Sequence, residues 1–304
     1  MRDLKLSVSA VVLGSLILSG CSVIDQGLDL AGDKSPISSA DRQTVGKTTQ
    51  ALRSTFAEIT DEEEYYIGRA VAALILARYP AYENRELTQY LNLLGTAIAW
   101  NSDRPETFAG YRFLVLDTDE VNALAAPGGF VFVSKGLLRL CRDEDMLAVL
   151  LAHEIGHVTA RHGLQSIKKS RLVDAFKVIG SEVARRYGPQ ELAQLTDVFE
   201  DVLGDIVESL VERGYDRKYE YEADALAVRF ASGTGYDPLA LPDLLQAIED
   251  RSADSEGRGW YRTHPTPKQR IDRAGKHIAP LPEPSPAGAD VRSQRFALAM
   301  KNLK

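Results

Sequence analysis

The stretch "MLAVLLAHEIGHVTARHG", residues 146 to 163, constrains the fold more than any other part of the chain. Wound into a helix, its first seven residues leave no polar face to give to water, so the helix has to run through the interior. Yet three of the chain's five histidines, and a glutamate, follow on the same segment. Buried imidazoles without partners are costly, so whatever packs around this helix has to satisfy them. His153 and His157 lie four residues apart and project from one face, with Glu154 beside them. Gly156 costs about 1 kcal/mol relative to alanine in a helix interior, and the expected return is space beside that face.

Two imidazoles on one helix face can ligate a single divalent ion, and an adjacent carboxylate can take a proton from water; zinc hydrolases use this pattern. The same spacing also suits a pair of otherwise satisfied or exposed histidines. A catalytic zinc site wants a third protein ligand and an open position. "YEYEAD" supplies a candidate, because Glu220 and Asp224 are again four apart on a helical segment. Glu220 can reach the ion while Asp224 accepts a hydrogen bond from the back nitrogen of a ligand histidine, fixing its tautomer. Taken alone, this E-x-x-x-D spacing is a plain charged face. Glu222 falls on the opposite side and is expected in solvent, as are His162 and His277.

The flanking sequence predicts a single helix-dominated domain with a small sheet. Helices are expected over 61–79, 86–100, 143–163, 219–232, 238–251 and after "HPTP", with a strand over 111–118 and a Gly-Gly turn feeding a second strand over 126–134. That second strand, with Gly128, Gly129, Phe130 and Val131, either offers an edge to an extended peptide or enters the core as part of a hairpin. Further amphipathic helices are expected between 165 and 213, where they can lid a cleft. Residues 279–304 read as a Pro-rich linker and a short terminal helix. Cys141 reads as a small buried apolar residue. The net charge of -7 argues against a nucleic-acid partner, which needs a basic face.

The N-terminus has a different character. Arg2 and Lys5 precede an apolar run too short to span a bilayer comfortably, the layout of an export signal over residues 1–20. It ends in "LSGC", which resembles a bacterial lipobox and implies that Cys21 is lipidated. Residues 21–55 then read as a flexible tether to a domain over 56–278.

"NALAAPGGFVFVSKGLL" (122–138), "HEIGH", "EYEAD" and "THPTPKQRI" (263–271) occur in that order over roughly residues 60–278. Together they resemble the HtpX-like and CAAX-prenyl-protease-like zinc metalloendopeptidases, gluzincins in the wider sense, and are most similar to the exported lipoprotein and periplasmic bacterial members. The resemblance implies a helix-dominated α+β, zincin-like domain with a small β-sheet whose edge strand borders the active-site cleft. It implies one zinc ion per chain held by His153, His157 and Glu220, with Glu154 as the catalytic base. His264 is brought to the site, either as a donor to the oxyanion or as an occupant of the open zinc position, and Arg270 supports that loop or the intermediate. Implied substrates are unfolded or misassembled envelope proteins. The implied location is the outer membrane of a Gram-negative bacterium, facing the periplasm through a lipid anchor. The alternative is a latched, weakly proteolytic chaperone or assembly factor. The transmembrane helices of some members have no counterpart in this domain, and the tail beyond Pro280 is too short for the helical repeats of others.

Overall fold

The computed structural model describes residues 59–165, 207, 208, 210, 214–253, 264, 267–281, 288–301 and 303. The expected signal segment, Cys21, the tether and most of the helices expected between 165 and 213 lie outside the described residues.

Helix α1 (Asp61–Arg78) starts where Thr60 and Glu63 close a capping box. The Glu63 amide donates to Thr60 Oγ1 at 3.2 Å, and the Thr60 amide donates to Glu63 Oε2 at 2.8 Å. Four acids in its first turn complement the positive end of the helix dipole. Asn84 caps α2 (Arg85–Ala99) by accepting from the Leu87 amide at 3.0 Å.

Three short strands follow: β1 (Arg112–Leu116), β2 (Ala123–Ala126) and β3 (Phe130–Ser134). Their order is β1–β3–β2. The β1/β3 pair is parallel with Arg112 opposite Phe130, and the β2/β3 pair is antiparallel with Ala126 opposite Phe130. The strand carrying Phe130 and Val131 is therefore the middle strand. Its main chain is paired on both sides and cannot align a peptide, which corrects the expectation that it offers an edge. The edge facing the histidine helix is β2.

Gly128 and Gly129 serve the turn between β2 and β3. Gly128 has φ +73°, and a Cβ there would stand 2.8 Å from the Tyr65 Cα of α1. Its amide donates to the buried Glu64 Oε1 at 3.1 Å. Gly128 thus lets α1 lie against the turn, and Gly129, with φ +97°, leaves room for Thr107, whose Oγ1 would stand 2.9 Å from a Cβ there.

A one-turn helix α3 (Lys135–Leu138) leads to α4 (Glu144–Thr159), which Asp143 caps through the Met146 amide at 2.8 Å. Every residue of α4 from Met146 to Val158 is buried. Leu147, Leu150, Leu151 and Ile155 are wholly buried, each contributing about 1.5–3 kcal/mol to burial. A single turn, α5 (His162–Gln165), follows a break at Arg161, whose φ is 55°.

Helix α6 (Arg217–Thr234) packs along α4, followed by α7 (Ala240–Ala253), α8 (Pro267–Ile278) and α9 (Ala289–Met300). Gly156 sits where α4 and α6 meet. A Cβ there would stand 3.2 Å from Leu226 Cβ and 3.3 Å from the Ala223 backbone. The missing side chain thus sets helix separation rather than space beside a bound ion.

Helix α9 joins the same core. Phe296 is buried, and Arg295 grips the wholly buried Glu144 through Nε at 2.6 Å and through Nη2. Tyr90 and Tyr236 donate to the same carboxylate at 2.8 and 2.9 Å. Hydrogen bonds to a charged group contribute about 1.5–3 kcal/mol, so this cluster holds the N-terminus of α4 in place. Among the described residues, no helix is long and apolar enough to cross a membrane.

Candidate metal centre

The close α4–α6 packing puts Glu220 opposite the two histidines of α4. His153 Nε2 and His157 Nε2 are 3.1 Å apart. Glu220 Oε2 lies 3.6 Å from the first, and Glu220 Oε1 lies 3.5 Å from the second. All three side chains are buried. His264, in the stretch ahead of α8, is buried too, and its Nδ1 lies 2.7 Å from Glu220 Oε2. One ligand atom from each of these four residues lies within 4.8 Å of the others.

The back of His153 is held by a carboxylate, with His153 Nδ1 3.1 Å from Asp224 Oδ1. Arg270 of α8 in turn clamps Asp224 with two hydrogen bonds, Nε to Oδ2 at 2.8 Å and Nη2 to Oδ1 at 2.7 Å. Its Nη1 lies 3.2 Å from Glu220 Oε2. The back of His157 faces a third imidazole, with His157 Nδ1 2.9 Å from His162 Nδ1. His162 is thus wholly buried, contrary to its expected place in solvent, whereas His277 is exposed. The Tyr215 ring stacks on His157 at 4.2 Å between centroids, and its hydroxyl donates to the Ala125 carbonyl of β2 at 3.1 Å.

Glu154 borders a small cavity lined by Ala123, Leu124, Ala125, Tyr215 and His264. Its Oε1 is buried without a hydrogen-bond partner. Burial pushes the Glu154 carboxyl up to about 7, with the Glu220 charge adding to the rise. Burial also acts on Glu220, but His264 and Arg270 hold that carboxyl below the usual range. Against the same burial, Arg270 and His153 keep Asp224 far below it. Burial and the neighbouring imidazoles keep His157 well below its ordinary value, so it is a neutral lone-pair donor near pH 7.

These residues fit a divalent cation on three counts. Tetrahedral ligands at zinc–nitrogen distances of 2.0–2.1 Å stand about 3.3 Å apart, close to the separations among His153, His157 and Glu220. Glu220 Oε1 is buried without a hydrogen-bond partner on the side facing His157. Three buried carboxylates, Glu154, Glu220 and Asp224, meet one buried guanidinium, that of Arg270, which leaves a formal deficit of two positive charges.

His153, Glu154, His157, Glu220, Asp224, His264 and Arg270 therefore gather at one place. Gly128, Gly129, Phe130 and Val131 do not join them as a substrate edge. Two further residues join them, His162, which was expected in solvent, and Tyr215, which carries no signal in the sequence.

Residues 85–278 match the sequence profile of Peptidase family M48. The chain is 28% identical over 289 residues to the beta-barrel assembly-enhancing protease of Yersinia pestis, covering 92% of this chain and 55% of that protein. Its counterpart in Escherichia coli (strain K12) is 28% identical over 214 residues, 69% of this chain and 42% of that protein. The mitochondrial metalloendopeptidase OMA1 of Schizosaccharomyces pombe is 32% identical over 151 residues, 49% of this chain and 41% of that protein. The chain thus spans about half the length of these curated relatives.

Proposed function

The chain belongs to peptidase family M48, and from that membership we propose that it is a zinc-dependent endopeptidase cleaving unfolded or misassembled proteins of the bacterial envelope. The observation that carries this reading is the approach of His153, His157 and Glu220 to within 3.1–3.6 Å of one another beside Glu154. His153, His157 and Glu220 hold the ion. Zinc, when bound, supplies Lewis acidity toward water and toward a peptide carbonyl.

Glu154 does the proton work. It takes a proton from the attacking water as the oxygen adds to the carbonyl carbon, and returns it to the amine as the C–N bond breaks. Asp224 and Arg270 keep the His153 ring oriented. The outer edge of β2, which no strand pairs among the described residues, aligns the peptide. The Asn122 carbonyl accepts from Ser134 of β3 at 3.0 Å, so by strand alternation the main-chain groups of Ala123 and Ala125 point outward. Tyr215 occupies the Ala125 carbonyl until a substrate amide displaces it.

The envelope assignment draws on the lipobox-like "LSGC" and on relatives named for enhancing β-barrel assembly. Lipidated Cys21 tethers the domain to the outer membrane, on its periplasmic side. Cys21→Ala then shifts the protein from the membrane to the soluble fraction, and sedimentation with membranes regardless would remove the anchor.

A second reading, a latched protease acting mainly in assembly, is favoured by the place of His264. With His264 in the donor cluster, four protein groups face one position, and zinc sites closed in this way are structural rather than catalytic. One assay separates the two readings. Purified full-length protein is given unfolded casein or an unfolded outer-membrane β-barrel, with and without a chelator. Cleavage should stop on chelation and return with zinc. His264→Ala should raise the rate several-fold if that residue latches the site, and lower it if His264 supports the oxyanion. Cleavage indifferent to the chelator in wild type and variant alike sinks the proposal.

A further inference from the structure

We propose that His162 is a positioning residue for the metal centre, fixing the tautomer and the ring orientation with which His157 presents Nε2 to the ion. This rests on the reading of His153, His157 and Glu220 as a zinc site.

The direction of the hydrogen bonds follows from which groups can only accept. His162 Nε2 lies 3.4 Å from Glu222 Oε2 of α6. A carboxylate accepts and cannot donate, so in this contact His162 Nε2 carries the hydrogen. A neutral imidazole carries one hydrogen, which leaves a lone pair on His162 Nδ1. That nitrogen is 2.9 Å from His157 Nδ1, so His157 Nδ1 is the donor. The remaining nitrogen of His157, Nε2, is then a bare lone pair. It is the atom that stands 3.1 Å from His153 Nε2 and 3.5 Å from Glu220. With His162 neutral, reversing the His157–His162 bond would leave His162 Nε2 as a lone pair against the Glu222 carboxylate.

The same logic operates across the site in shorter form, where Asp224 takes the Nδ1 hydrogen of His153 directly. Helix α6 therefore anchors both ligand rings from behind, Asp224 for His153 and Glu222 for His157 with His162 between. The packing fits this role. His162 is wholly buried, and its ring lies 4.5 Å from that of Tyr219 and 5.9 Å from that of Tyr215. The left-handed turn at Arg161 is what swings it back toward His157. Glu222 keeps 57% of its side chain in solvent, so the anchoring charge stays hydrated and avoids the cost of burial.

The test compares His162→Phe with His162→Asn in the full-length chain. Phenylalanine keeps the ring between the tyrosines but accepts no hydrogen bond. Asparagine places its Oδ1 close to where Nδ1 stood and can accept from His157. Zinc affinity is measured by competition with a chromogenic chelator, and the metal-free proteins are melted in parallel. The Phe variant should bind zinc roughly 10–100-fold more weakly, the usual cost of losing such a partner, and the Asn variant should recover most of that loss. The metal-free Phe form should melt modestly below wild type, since the buried His157 Nδ1 hydrogen loses its acceptor. Affinities are therefore compared at a temperature where all metal-free forms are folded. A Phe variant that binds zinc as tightly as wild type overturns the role of His162, as does an Asn variant that loses as much affinity as Phe. Wild-type protein that binds no stoichiometric zinc overturns the metal site itself, a different failure.

Discussion

Glu154→Gln protein is expected to keep its zinc and lose hydrolysis by about 10²–10⁴-fold, the usual contribution of a positioned proton-transfer group. Glutamine matches glutamate in size and shape, so the cavity beside Ala123 and His264 is unchanged. What disappears is the ability to take a proton from water and hand it to an amine. The Glu154 Oε1 is buried without a partner inside the protein, so no structural hydrogen bond is broken at that atom. Replacing the charge should also spare stability, since Glu154 is buried near the Glu220 carboxylate and the two repel. Zinc content by chelator titration and casein cleavage, measured on the same preparation, check both halves. Digestion at the wild-type rate would remove Glu154 from the mechanism, and loss of zinc would make it a ligand.

How far such a site is legible in the sequence depends on which signal each residue carries. The helix α4 announces itself through an apolar run with no polar face, and His153, Glu154 and His157 come with it. Glu220 and Asp224 are legible only by pairing them with histidines more than sixty residues earlier in the chain, and four motifs in a family's order made that pairing. Strand β2 is hidden because "ALAA" has poor strand-forming character, so the pairing with β3, not local preference, makes it a strand. With β2 unseen, β3 took its place as the edge.

His162 was misplaced for a different reason. Continued as a regular helix, the chain turns 100° per residue, which leaves His162 about 140° around from His157. The break at Arg161, with φ 55°, cancels that rotation. A positive φ at an arginine leaves no mark in the sequence, since glycine is the residue expected there. Tyr215 is equally silent, because it reaches Ala125 and His157 only through the way α6 is entered.

Arg270→Met should destabilise the metal-free domain by about 3–5 kcal/mol, the cost of leaving buried charges without their partner. Methionine fills much of the arginine stem, so packing around α8 changes little. The guanidinium is wholly enclosed and bonded to Asp224 twice, with Glu220 3.2 Å away. Without it, two buried carboxylates on α6 lose their protein cation, and α8 loses its charged link to α6. A bound divalent cation softens this, because it supplies two of the positive charges that the cluster lacks. The melting temperature should therefore fall by roughly 6–20 °C in chelator, taking 2–4 °C per kcal/mol for a domain of this size, and by less with zinc present. The zinc-dependent difference is the informative quantity, because a packing defect would lower both melts equally. A variant that melts within a degree or two of wild type in chelator would mean that Arg270 does not hold the two helices together.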